Sequence, residues 1–339
     1  MSRRMRPRRA TLSAPRIAGM AMQARRILSL DGGGIRGYLS ARWLQAVDAA
    51  LVGAGKPPLP EAFDLVAGSS TGAIVACAIG IGMPPAHLAQ LYRRHGDTIF
   101  PGMATRLWSR AGRLFTQGPS APRYDGIGLE RVLAQEFGDR AFGSLARPTL
   151  VTAYDTLSRR AIIFKSFKPE HAGLRIRDVL RASCAAPTYF PAHPLRVEER
   201  DCVLVDGGVV ANNPTACAIA EALRKDLRVH DSHELVVLSV GTGERNRPIT
   251  LREAREWGAL EWATPIIDVL FDGSTDAVDY IAAQLVGDGY VRLQAELNVG
   301  LDDLDDTSAT NFLALDALAA DYFARDTTRA AIARLVTMV

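Results

Sequence analysis

Short apolar runs rich in β-branched residues alternate along the chain with segments whose apolar positions recur every three or four residues. That is the pattern of a sheet whose strands are joined by crossover helices. Strands are predicted near Ile27–Leu30, Phe63–Ala67, Pro148–Tyr154, Ala161–Lys165, Cys202–Val205 and Leu235–Val240. Helices are predicted over Leu39–Val52, Thr71–Ile81, Pro85–His95, Gly128–Phe137, Arg177–Cys184 and Pro214–Arg224, with another over Thr310–Phe323. Pro214 stands at the first position of its helix with Asn213 as the cap, a standard start signal. No internal repeat interrupts the series.

Two stretches fit this scheme poorly. Thr98–Tyr124 holds no acid, four arginines (Arg106, Arg110, Arg113 and Arg123) and interleaved Phe100, Met103, Leu107, Trp108, Leu114 and Phe115. Such a cationic, aromatic-bearing loop suits a membrane surface or the lid of a lipid pocket, and equally an ordinary packed insertion. The second, Gly241–Trp262, is a polar loop without a chemical signal.

The chain has 339 residues, 48% hydrophobic and 23% charged, with mean hydropathy +0.03, a composition that excludes disorder, coiled coil and collagen. At roughly 100 to 200 residues per domain, this length allows two small domains or one large α/β domain. The division expected is an Arg-rich arm over residues 1–25, a catalytic core over 26–222, and strands and helices over 223–339 completing the same domain. The longest strongly apolar stretch, Ala73–Met83, spans 11 residues, short of the roughly 20 that a bilayer span requires.

Net charge is +3, yet residues 1–26 carry eight arginines and no acid, which leaves the body mildly acidic. An arm of this kind meets anionic lipid, or nucleic acid by releasing counterions. As a leader ahead of a start at Met20 or Met22 it does neither, and no nucleic-acid partner is expected. Cys77, Cys184, Cys202 and Cys217 form no C-x-x-C pair and sit among Ala, Val and Leu, as reduced thiols of a cytoplasmic protein do. No structural metal is expected. The acidic run Asp302, Asp303, Asp305 and Asp306 lacks the glycine and closing glutamate of an EF-hand, and reads as a solvated cap before the helix at Thr310.

Three motifs carry chemistry. Gly68-Ser69-Ser70-Thr71-Gly72 is a G-x-S-x-G that follows an apolar run and precedes a helix, the setting of a nucleophile elbow. Small residues there let strand and helix approach, and Ser70 is presented at a helix N-terminus, where negative charge is favoured. Asp31-Gly32-Gly33-Gly34-Ile35-Arg36-Gly37 lies between a strand and a helix; consecutive glycines can turn N–H groups toward one point, as an oxyanion hole requires. The same letters satisfy the dinucleotide fingerprint G-x-G-x-x-G, but Asp48, in a helical pattern, does not supply the acid expected at the end of a second strand. A P-loop fails on Tyr38 where lysine belongs. The third motif is Asp206-Gly207-Gly208, an acid at the carboxyl end of a strand, where α/β sheets place functional groups.

In this order the three motifs resemble the patatin-like phospholipase family, its bacterial branch in particular. Val179–Pro191 and Val205–Pro214 resemble the family's connecting blocks. The likeness is specific over Arg26–Ala222 and weaker to about Ala320, where Asp302–Leu315 is similar to the C-terminal part of the bacterial and plant branch. The resemblance implies a three-layer α/β/α acyl hydrolase with a mostly parallel central sheet. It further implies a Ser70–Asp206 dyad, an oxyanion-hole segment of Gly32, Gly33, Gly34, Arg36 and Gly37 in which the N–H groups of 32–34 hold the oxyanion and Arg36 braces the loop, and structural glycines at Gly68, Gly72, Gly207 and Gly208. Phospholipase A-type cleavage of membrane glycerolipids without a cofactor is the expected activity, at the inner membrane periphery. Some similar bacterial enzymes are anti-phage effectors gated by a cyclic nucleotide, so a cyclic dinucleotide activator is an alternative. A Ser–Asp–His triad would need His230 or His233, which lie in a polar surface connection; His87, His95, His171 and His193 read as structural.

Overall fold

The computed structural model describes residues 25–102, 121–224, 231–244, 248–262, 265–297, 301 and 303–339. The arm over residues 1–24 and most of the cationic stretch, residues 103–120, lie outside them, as does His230.

Eight strands form one mixed sheet: β1 Arg26–Leu30, β2 Leu65–Ser69, β3 Thr149–Asp155, β4 Arg160–Lys165, β5 His193–Val197, β6 Arg200–Asp206, β7 Val236–Val240 and β8 Tyr290–Leu293. Their order is β5-β6-β3-β2-β1-β7-β8, with β4 also paired to β3. Five of them, β3-β2-β1-β7-β8, run parallel. β4 and β6 pair antiparallel with β3, and β5 pairs antiparallel with β6. β1 lies in the middle and is buried from Ile27 onward, which is why its sequence is a continuous apolar run rather than an alternating one.

The principal helices are α1 Gly37–Gly53, α2 Thr71–Gly80, α3 Pro85–Ile99, α4 Ile127–Phe137, α5 Ile176–Ser183, α6 Thr215–Ala222, α7 Pro265–Val286, α8 Ala309–Ala324 and α9 Asp326–Met338. Side-chain alternation along the strands sorts them into two layers. Leu28, Leu30, Val66, Val151 and Val240 pack with α1, α2, α4 and α8 in the larger core. Ile27, Leu65, Ala67, Leu150 and Val237 face the opposite way, onto Ala218 and Ile219 of α6 and Ala282 and Val286 of α7. The fold is therefore a three-layer α/β/α sandwich. Among the described residues no helix is long and apolar enough to cross a membrane.

Several elements differ from expectation. β5 and β8 have no counterpart among the predicted strands. β5 is an edge strand carrying Pro194 and exposed alternate positions, and such edges tolerate proline. β8 is only Tyr-Val-Arg-Leu, too short for periodicity to reveal. Pro214, not Asn213, caps α6, while Asn213 Oδ1 accepts from Thr215 N one step behind. The acidic run is not a solvated cap throughout: Asp305 is 9% exposed and accepts from Tyr124 Oη and Arg123, and Ser308 caps α8.

Candidate active site

β3 has two edges, and the way they are used creates the site. β4 pairs along one edge from Leu150 to Asp155. Both β2 and β6 must then share the other, β2 pairing as far as Ser69↔Thr152 and β6 ending at Asp206↔Ala153. One strand runs up and the other down, and they meet end to end at adjacent rows. The rule that functional groups sit at the carboxyl ends of parallel strands therefore applies to Ser70 but not to Asp206. Asp206 reaches the same row because its strand enters from the opposite direction.

At this junction Ser70 Oγ donates to Asp206 Oδ2 at 2.6 Å, and Gly208 N donates to Asp206 Oδ1 at 2.7 Å. Ser70 has φ 52° and ψ −122°, a conformation costly for a residue with a Cβ and one that concentrates at functional turns. The elbow leaves no room for side chains at its glycines: a Cβ on Gly72 would lie 2.2 Å from the Leu30 carbonyl oxygen, and one on Gly68 2.4 Å from that of Gly72. Gly207 sits with equal closeness on Thr152.

Asp206 is 1% exposed. Burial pushes its carboxyl up to about 7, against the lowering effect of the bonds from Ser70 and Gly208. The unfolded carboxyl titrates near 3.8, so the folded protein carries a cost for the charged form that grows between pH 4 and 7 and is complete above 7. Asp206→Asn, which keeps an acceptor for Gly208 and a partner for Ser70, removes that cost. It is expected to stabilise the protein by on the order of 3 kcal/mol at pH 8 and by little below pH 4, read from urea unfolding at the two values.

The glycine loop departs from a three-donor arrangement. Gly32 N already donates to the Asn212 carbonyl at 3.0 Å, so Gly32 is not an oxyanion donor. Gly37 N is taken by the carbonyls of Gly34 and Ile35, and the residue packs against Tyr92 and Thr71. The N–H groups of Gly33 and Gly34 have no hydrogen-bond partner among the described residues. Gly34 has φ +57°, and a Cβ there would meet the Leu304 carbonyl at 2.2 Å. Arg36 Nε reaches the Gly33 carbonyl at 3.4 Å.

Three residues support the site without having been singled out in the sequence. Ser183, the last residue of α5, accepts from Ser70 N through its Oγ and from Gly207 N through its carbonyl, pinning both strand ends. Its place in the block Val179–Pro191 was the only signal. Arg292 of β8 donates to Asp31 Oδ2 at 2.6 Å and to Ser239 Oγ at 2.8 Å, holding the start of the glycine loop from behind. Asp31 is 2% exposed and burial pushes its carboxyl up, opposed by Arg292. Asn212 ties the loop to α7 through Thr275. His233 lies on an exposed turn beside Gly287, outside the site.

Next to Ser70 a cavity with about 980 Å³ of empty space, part of it continuous with solvent, opens between α2, α3 and α4. Its walls are Ile74, Val75, Leu91, Ile99, Val132 and Leu133, with Phe271 from α7 near the dyad. Two polar pairs interrupt them, His95 Nε2 with Glu136 Oε1 at 2.8 Å and the hydroxyls of Thr71 and Tyr92 at 2.6 Å. An apolar slot beside a serine suits an acyl chain.

The sandwich, the strand–turn–helix elbow and the apolar slot define an α/β acyl hydrolase. The chain belongs to the patatin-like phospholipase family, which it matches over residues 28–219, and is a lipid acyl hydrolase. It is 29% identical to patatin-like protein 2 of Oryza sativa subsp. indica over 90% of this chain and 84% of that one. It is 30% identical to patatin-like protein 2 of Arabidopsis thaliana over 75% and 70% of the two chains. Of solved structures, VipD from Legionella pneumophila matches with TM-score 0.38 and 14% identity, over 88% of this chain and 67% of that one.

Proposed function

We propose that the protein is a phospholipase A-type enzyme in which Ser70 is the nucleophile and Asp206 the general base. The observation that carries this reading is the 2.6 Å bond between Ser70 Oγ and a buried carboxylate at the head of an apolar slot. With the acyl chain in the slot, Ser70 Oγ attacks the ester carbonyl carbon and its proton passes to Asp206. The oxyanion formed takes the N–H groups of Gly33 and Gly34. Collapse returns the proton to the departing alcohol oxygen, giving lysophospholipid and an acyl-serine. Water, deprotonated by the same carboxylate, then cleaves the acyl-serine to fatty acid. An ester's leaving group needs less proton assistance than an amide's, so a carboxylate suffices where a histidine would otherwise serve.

A base held up to about 7 must lose its proton to act. Turnover is therefore expected to rise about tenfold per pH unit below 7 and to level off above it. A profile flat from pH 5 to 8 excludes Asp206 as the base.

The test is product analysis on phospholipid vesicles. Equal amounts of fatty acid and lysophospholipid support the reading, and release of a head group, or of nothing with or without added cyclic dinucleotides, overturns it. The same assay with added cyclic dinucleotides separates a constitutive enzyme from a gated effector: release only in their presence identifies the latter.

A further inference from the structure

Helix α7 is turned inside out relative to an ordinary surface helix. Thr275, Ala282 and Val286 are its buried residues. On the opposite side Ile266, Val269, Leu270, Tyr280, Ile281 and Leu285 are exposed, from 39% at Ile266 to 68% at Tyr280. At 100° per residue these six fall within about 160° of arc, centred directly away from the sheet. The stripe runs the length of a 22-residue helix, about 33 Å. Water contact along such a stripe is unfavourable by about 25 cal/mol per Å² of apolar surface.

We propose that this face docks the protein on a bilayer of zwitterionic phospholipid; the proposal rests on the lipid substrate assigned above. Two observations choose this occupant. First, the helix that carries the stripe also walls the substrate slot: Phe271, next to exposed Leu270, lines the slot and packs on Gly208, two residues from Asp206. Leading into the helix, Trp257 and Trp262 form a T-shaped pair with ring centroids 5.2 Å apart, residues suited to the headgroup layer. Second, charge excludes an anionic surface. Between Leu251 and Val286 seven acids stand against two arginines, and the exposed Asp276, with Asp272 beyond it, borders the stripe on one side. Such a helix is repelled by anionic headgroups and held to neutral ones by apolar contact alone.

The test compares the wild type with Ile266→Asp/Leu270→Asp, neither residue lining the slot. On phosphatidylcholine vesicles the double variant is expected to lose about tenfold or more in both co-sedimentation and hydrolysis. Its hydrolysis of a soluble short-chain ester should equal the wild type's, which also shows that it folds. Wild-type binding should survive about 0.5 M salt, where the Debye length is only a few ångströms. Unchanged vesicle binding in the variant, or wild-type binding only to phosphatidylglycerol vesicles and lost in salt, overturns the proposal. So does a wild-type dimer that becomes monomeric in the variant, because a second copy then covers the face. If the wild type cleaves neither substrate, the assigned function fails, while co-sedimentation still judges the docking face.

Discussion

Ser70→Ala, Asp206→Asn and the double variant are expected to cleave a soluble ester at nearly the same residual rate, about 10⁴- to 10⁶-fold below wild type. The reason is that the two side chains act as one device. Without the hydroxyl the carboxylate has no proton to take, and without the carboxylate the hydroxyl is an ordinary alcohol, so removing the second group after the first costs little. What persists comes from the slot and from the N–H groups of Gly33 and Gly34. Single-turnover kinetics on the three variants checks this. Losses that multiply in the double variant would mean that the groups work independently, and a comparable loss in His233→Ala would point to a triad. Since Asp206→Asn is also expected to stabilise the fold, its inactivity cannot be traced to unfolding.

The second large effect is expected at Arg292, which touches no substrate. Arg292→Met should lower stability by about 3–5 kcal/mol, because it leaves the Asp31 carboxylate buried without its counter-charge. Asp31 must then stay charged in an apolar setting or bind a proton, and Ser239 loses a donor as well. Adding Asp31→Asn to Arg292→Met removes the stranded charge and should recover a good part of the loss. Urea unfolding of the two singles and the double measures the coupling. Simple additivity would show that the pair contributes nothing of its own.

The contrast between these two sites shows what a linear reading can reach. β1, β2 and the elbow between Gly68 and Gly72 are legible because burial on both faces, a tight turn and an apolar helix each leave a local mark. The oxyanion loop is legible as glycines but not as donors. Whether an N–H is free depends on what approaches it, and Asn212, 180 positions away, consumes the one on Gly32. Asp206 was conspicuous for its two glycines, yet the direction of its strand is a property of pairing and has no local signature. Arg292 was invisible for the same reason: a lone arginine in a four-residue strand says nothing until β8 is laid against β7. Asp305 is the converse, an acid that resembles its solvated neighbours in sequence but is claimed by Tyr124 and Arg123 from far along the chain. Helix α7 has no counterpart among the predicted helices, because apolar residues on its outward face as well as its inward one blur the one-sided period of a surface helix.

The head-on meeting of β2 and β6 also bears on when the enzyme comes to exist. Ser70 and Asp206, the proposed nucleophile and base, are 136 residues apart, and closing a loop of that length costs roughly 4 kcal/mol in chain entropy before any contact repays it. During synthesis the elbow and the glycine loop emerge first, and Ser70 remains an unactivated alcohol until β6 has been made and laid against β3. Lipolytic competence is thus a late product of folding. Partly made chains, with their apolar surfaces still open to nearby membranes, cannot digest them.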